Sequence, residues 1–195
     1  GDGNIVKNEA KASYMVRISG HSVDDKEYLV DYVKPLVYKL FKVEMGLYFF
    51  KNSKSLHLTV SNKNLVYTLE SFGLVAGNKI KNNVSIPPWV FENDDYLRAC
   101  VRGLIDTDGC VVPITGRNYT YIWFSCGVEN LRRSFVKAME RLDYRMAKWS
   151  SGKKTAPQTY IAAKNLIRKY YKEVGFSNLK HKKRFICSGS VVRPN

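Results

Sequence analysis

The stretch "DDYLRACVRGLIDTDGCVVP", Asp94 to Pro113, decides how this chain is read. Tyr96, Leu97, Cys100, Val101, Leu104 and Ile105 recur at the spacing of one helix face. That pattern runs directly into Asp106-Thr107-Asp108-Gly109. A helix C-terminus is the negative end of the macrodipole, so two carboxylates there are unfavourable unless a cation offsets them. The plain reading makes "DTDG" a solvated helix stop, with Gly109 as a left-handed cap. Ala99 and Gly103, four residues apart, put two small side chains on one face, where a second helix can approach closely.

Composition narrows the class. At 195 residues and 45% hydrophobic content the chain can bury one sizeable core or two small ones. No apolar run reaches membrane-spanning length and no signal peptide opens the sequence, which reads as cytoplasmic with no membrane partner. Cys100, Cys110, Cys126 and Cys187 lack metal-ligand spacing and read as reduced thiols. The net charge of +15 calls for a polyanionic partner, most simply nucleic acid. It is unevenly held. Residues 1–95 carry 12 Lys/Arg against 11 Asp/Glu, and residues 96–195 carry 20 against 6.

The two halves repeat. Asp2-Gly3 and Asp108-Gly109 are each followed by a loop and then an alternating, strand-like segment, Ser13–Ser19 and Tyr119–Ser125. Helical patterns follow at Glu27–Lys42, where Pro35 predicts a kink or break, and at Glu129–Arg145. Short strand candidates come next: Leu47–Phe50 with Ser55–Val60, and Ala147–Trp149 with Thr159–Ala162. "NLVYTLESFGLVAGNK" (Asn64–Lys79) aligns without a gap to "NLIRKYYKEVGFSNLK" (Asn165–Lys180), with Gly73 and Gly175 at helix C-caps. Each half is therefore β-β-α-β-β-α behind an Asp-Gly. Two equivalent acids brought together by a helix pair would make a divalent-metal site, and oxygen ligands without Cys/His clusters favour Mg²⁺ over Zn²⁺.

"VRGLIDTDG" (Val101–Gly109) resembles the signature of LAGLIDADG homing endonucleases. Leu104, Ile105, Asp106, Asp108 and both glycines match, while Val101, Arg102 and Thr107 differ. "GDG" (Gly1–Gly3) resembles the tail of a first copy. "ISGHSVDDKEYL" (Ile18–Leu29) and the segment from Gly73 to Val90 resemble the archaeal intron- and intein-encoded members.

The resemblance implies an α+β fold of two pseudo-symmetric lobes, residues 1–95 and 96–195. Each lobe would carry a four-stranded antiparallel saddle and packed helices. It implies a Mg²⁺-dependent, site-specific cut in double-stranded DNA. Asp2 and Asp108 would be the metal ligands and Lys79 and Lys180 the catalytic lysines, with Asp106 structural. Ile18, Val16, Phe124 and Ile122 fall to the core. Arg17 in one lobe and Tyr119, Tyr121 and Trp123 in the other then face DNA, and Lys51, Lys54, Arg117, Lys148, Lys153 and Lys154 lie near hairpins where phosphates pass.

Two departures stand against this. Gly20 and Cys126 occupy the place where the family commonly carries a water-organising polar residue. The first signature helix also lies outside the numbering. Were Gly1 the true start, self-association or a helix from a partner would cover the Ala99/Gly103 face. The alternative function is a DNA-binding protein weakened in catalysis, or an RNA maturase assisting intron splicing.

The charge asymmetry makes a prediction about salt. Neutralising Lys153, Lys154, Lys182 and Lys183 together should flatten the salt dependence of polyanion binding more than neutralising Lys7, Lys11, Lys51 and Lys54, because counterion release scales with phosphates contacted. Binding isotherms across a salt series read the slopes, and equal slopes would remove the second half as the electrostatic anchor.

Overall fold

The computed structural model describes residues 2–51, 53–114, 119–150 and 155–188. The chain divides into two compact units, Asp2–Val84 and Ser85–Asn195. Both are mixed α+β, each built on an antiparallel sheet.

In the first unit the sheet order is β1 (Gly3–Asn8), β2 (Ser13–His21), β4 (Ser55–Ser61), β3 (Gly46–Phe49). Alternation sends Ile5, Val16, Leu56 and Leu58 to one face. There they meet Leu29, Val33, Leu65 and Val66 from the covering helices. The segment after Asp2-Gly3, expected as a loop, is strand β1. It pairs along its whole length with β2, so its alternate residues are buried from one side only. Pro35 does not break its helix. Tyr28–Val33 winds as a π-helix and passes into α1 (Lys34–Phe41). Proline has no N–H to give to the preceding turn, and its ring would strike the carbonyl four residues back; a wider turn relieves both. α2 (Lys63–Ser71) starts on Asn62, whose side chain accepts from the Leu65 N–H at 2.8 Å. It ends at Gly73, at φ +88°, with the Leu74 N–H donating to the Leu69 carbonyl.

The second unit opens with the short turn Pro88–Glu92. Its approach is fixed by the Ile86 N–H donating to Ser134 Oγ at 3.1 Å and by the buried Val90. Then follow α3 (Asp94–Asp108), β5 (Gly109–Pro113), β6 (Thr120–Ser125), α4 (Glu129–Arg141), β7 (Gln158–Ile161), α5 (Lys164–Glu173) and α6 (Leu179–Cys187). The sheet order is β5-β6-β7. Leu97, Val101 and Ile105 of α3 share the core with Val111, Ile122, Phe124, Phe135 and Met139. The Phe124 and Phe135 rings lie 4.0 Å apart.

The repeat is present in the hydrogen-bond register. Gly3 pairs with Ile18, and Gly109 with Phe124, each 106 positions further on. Leu58 pairs with Ile18, and Thr159 with Phe124, so the last strands are offset by 101 positions, as are the starts of α2 and α5. The five extra residues of the first unit therefore fall between its second and last strands.

The expected fourth strand of the second saddle is reduced, among the described residues, to a single bridge between Ser150 and Gln158. Beyond that bridge, the Ala147 N–H donates to the Tyr160 carbonyl at 2.9 Å and the Thr159 hydroxyl donates to the Ala147 carbonyl at 2.6 Å. α4 also ends at Arg141 rather than Arg145, because Asp143 turns left-handed (φ +61°) and Tyr144 dives into the core.

Packing of this kind separates two substitutions. Phe135→Ala should lower unfolding free energy by about 3–5 kcal/mol, while Leu40→Ala, at a side chain 61% exposed, should stay within about 0.5 kcal/mol. Urea unfolding of both variants checks the contrast.

Candidate functional site

The site is built where α3 runs into β5. Asn93 caps the helix start, its side chain accepting from the Asp95 N–H at 2.7 Å. At the other end Gly109 is not left-handed as expected; its backbone is extended, at φ −100° and ψ 174°. Glycine is required there for room. A Cβ would lie 2.5 Å from the Ile105 carbonyl oxygen and 2.9 Å from that of Trp123. The helix can therefore end directly against the sheet, with Asp108 as its last residue.

The two carboxylates of "DTDG" have different surroundings. Asp106 is 1% exposed. Its Oδ2 accepts the Ser177 N–H at 2.9 Å and its Oδ1 the Asn178 N–H at 3.1 Å, while its own carbonyl accepts from Asn178 Nδ2 at 3.1 Å. Burial pushes its carboxyl above the usual range, opposed by those N–H groups and by the Arg102 charge. Asp108 is half-buried. It stands at the edge of a hollow of about 470 Å³ on the outward face of the sheet, whose floor includes Val112, Ile114, Tyr121 and Trp123, with Ser125 and Gln158 near the acid. Cys126 is buried, and its thiol is pushed up chiefly by burial and also by the Asp108 charge.

The two candidate lysines occupy different local structure. Lys180 lies in the first turn of α6, where its N–H donates to Asn178 Oδ1 at 3.1 Å. The Asp106 clasp on Asn178 thus also sets the start of α6. Lys79 lies in a turn, and its carbonyl accepts from the Val84 N–H at 3.3 Å. Among the described residues no helix of the first unit matches α6. Asp2 is exposed and precedes β1, its carbonyl accepting from Ser19 N–H. Asp2 and Lys79 belong to one unit and Asp108 and Lys180 to the other.

Gly20 is held by packing. A Cβ there would meet Leu29 Cδ1 at 2.8 Å and Asp25 Cβ at 2.9 Å. Asp25 is itself fixed, accepting from the His21 N–H at 2.9 Å. No longer side chain fits without a shift.

On the outward sheet faces, Arg17 lies over the first sheet, with Nη2 3.9 Å from Met15 Sδ. Tyr119, Tyr121 and Trp123 lie over the second. Sequence reasoning missed Tyr160, whose ring is 4.6 Å from Trp123 and 5.2 Å from Tyr121. The signal was the alternation of "QTYIA", which puts Tyr160 opposite Trp123 once β7 is paired. Lys51, Lys54 and Lys148 are exposed near the hairpin ends. Arg117, Lys153 and Lys154 lie outside the described residues. No helix among the described residues is long and apolar enough to cross a membrane.

Residues 95–175 match the family described as a LAGLIDADG-like domain. That match lies within the second unit. Solved structures agree over nearly the whole chain. A mesophilic variant of the homing endonuclease I-DmoI superposes with a TM-score of 0.60 at 16% identity, covering 90% of this chain and 89% of that one. I-DmoI in complex with DNA and Mn gives 0.59 at 14%, covering 90% and 89%. The LAGLIDADG meganuclease I-AabMI bound to uncleaved DNA gives 0.55 at 12%, covering 96% and 85%. The fold is therefore that of the LAGLIDADG proteins across both units. No curated protein matches in sequence.

The two acids should answer mutation differently. Asp106→Asn turns one acceptor into a donor facing a buried N–H, which should cost about 1–3 kcal/mol. Asp108→Asn removes a charge from a helix C-terminus and should leave stability unchanged or raised by about 0.3–1 kcal/mol. Urea unfolding followed by tryptophan fluorescence measures both.

Proposed function

We propose that this protein is a site-specific endonuclease of the homing type, which hydrolyses phosphodiester bonds of double-stranded DNA with Mg²⁺ in the cytoplasm. The observation that carries the reading is the position of Asp108. It is a half-buried carboxylate at the end of the signature helix, beside an open, sheet-floored hollow, in a unit with strong positive charge. The shared hairpin register supports treating residues 1–95 and 96–195 as two LAGLIDADG repeats, each with one acid, Asp2 and Asp108.

The donor set suits a hard cation. Among the described residues no group of three or more His, Cys, Asp or Glu side chains forms a metal cage. Mg²⁺ does not need one, since it keeps several waters and shares phosphate oxygens with its substrate. Bound there, it would supply an activated water and offset charge on the phosphate. Asp108 would hold it in the second unit, and Asp2 would be the corresponding ligand in the first. Lys180 and Lys79 would offset developing phosphate charge, and the Asn178 contact fixes where the Lys180 backbone begins. Arg17 would read guanine, with Tyr119, Tyr121 and Trp123 against the other half of the target. Lys51, Lys54, Arg117, Lys148, Lys153 and Lys154 would take phosphates. The fold's likeness to I-DmoI, solved with DNA and Mn and with target DNA in the presence of Mg, supports DNA and a divalent metal as the partners.

A second reading has its own observation. Gly20 is closed by Leu29 and Asp25, and Cys126 is buried, so neither unit presents a polar side chain at the place where the family organises water. That favours a DNA-binding protein with cleavage weakened or lost, or an RNA maturase.

Cleavage of a plasmid pool carrying randomised inserts, with Mg²⁺, separates the two. The endonuclease should linearise a selected subset. On a selected site, Asp108→Asn should bind as well as the parent and cut at least one strand about 10²–10³-fold more slowly, the scale of losing one preorganised electrostatic contact. A pool that is bound but never cut favours the second reading, and a variant cutting both strands at the parental rate removes Asp108 from the metal site.

A further inference from the structure

The two sheets share a register but present different chemistry outward. In the first unit, Arg17 stands in one row with Asn4 and Thr59, and Ser19 pairs with His57. These are hydrogen-bonding side chains. In the second unit, Trp123 stands in one row with Cys110 and Tyr160, and Tyr121 pairs with Val112. β5, β6 and β7 contain no charged residue. The rings interlock, with centroids 5.2 Å apart for Tyr121 and Tyr160 and 4.6 Å for Trp123 and Tyr160, and the side chains remain half-exposed. Tyr121, Trp123 and Val112 line the hollow beside Asp108, and Tyr160 packs against both rings, giving an uncharged aromatic floor.

Such a floor is an unusual surface to lay against a polyanion, yet residues 96–195 carry 20 Lys/Arg against 6 Asp/Glu. The charge sits off these strands, as with Lys148, exposed near the hairpin end, and Lys164, whose Nζ is 5.8 Å from the Tyr119 ring centroid. This arrangement complements a duplex, with cations meeting phosphates at the rim and the uncharged floor meeting base edges. In the major groove the base edges offer donors, acceptors and one apolar group, the C5-methyl of thymine. Locked aromatic rings and Val112 gain most by burying that methyl.

On the reading that this chain binds specific DNA, we propose that the second sheet selects thymines by apolar contact with their methyl groups, whereas the first sheet selects bases by hydrogen bonding. Tyr121, Trp123, Tyr160 and Val112 are the specificity-determining side chains.

The experiment starts from a randomised duplex pool, selected for binding in Ca²⁺ by the parent chain and by Tyr121→Gln and Tyr160→Thr, each shown folded by circular dichroism. The end of the selected sequence that changes in the variants is the half read by the second sheet. Deoxyuridine then replaces each thymidine there, which removes the methyl and keeps every pairing and groove acceptor. The parent should show thymines in that half and lose about fourfold in affinity per contacted methyl, the worth of burying one such group. Uracil in the other half should have little effect, and Tyr121→Gln should no longer distinguish uracil from thymine. Equal affinity for thymine and uracil throughout that half overturns the inference and leaves specific DNA binding standing. A pool with no enriched sequence overturns both.

Discussion

The buried carboxylate of Asp106 holds the second unit's site together. It accepts two backbone N–H groups from the α5–α6 connection and sits two residues from the end of α3, while Asn178 returns a hydrogen bond to its carbonyl. A charge this deeply buried is tolerable only when its lone pairs are taken. The interaction fixes three things together: the end of α3, the start of α6, and the backbone of Lys180, whose N–H is held by the same Asn178 side chain. Gly109 completes the junction, since without a side chain the helix end can lie directly against β6.

Asp106 is committed to structure, and Asp108 stands apart from it. The acids are two residues apart on a helix, so their side chains diverge by more than half a turn. One points into the protein and is satisfied by N–H groups. The other borders the open sheet face, where the helix dipole disfavours it in the absence of a cation. The two carboxylates of one motif therefore stand in unlike surroundings, one buried on backbone N–H groups and one half-buried at the sheet edge. That difference explains why equivalent-looking acids in one motif should give opposite responses to amidation.

Pairing rules that make the two sheets alike leave their surfaces free to differ. Inward positions are constrained by the core on both units, so Val16 and Ile122, or Leu58 and Thr159, sit at matching places. Outward positions carry no such constraint. One sheet has become polar around Arg17 and the other aromatic around Trp123 and Tyr160. A repeated scaffold with unlike outward faces suits an asymmetric target better than a palindrome.

Much of this was legible in the residues alone. The helix into "DTDG", the paired hairpins, the Asn-Leu alignment and the glycine caps all follow from local periodicity and backbone preference, which act over a few residues. So does the assignment of Val16, Ile122 and Phe124 to the core, because strand alternation puts every second side chain on one face. What the residues could not reveal depends on groups distant in sequence. Gly109 looked like a left-handed cap, but its backbone is extended, and a Cβ there would strike both the Ile105 carbonyl of its own helix and the carbonyl of distant Trp123. Gly20 looked like a missing catalytic residue, and its space is closed by Leu29 and Asp25. The fourth strand of the second sheet is reduced, among the described residues, to a bridge at Ser150 and one backbone bond from Ala147 to Tyr160, and Tyr160 joined the aromatic face only when β7 paired with β6. Local propensity sets where elements begin and end, whereas the room around an atom and the partner of a buried charge exist only after the chain has closed on itself.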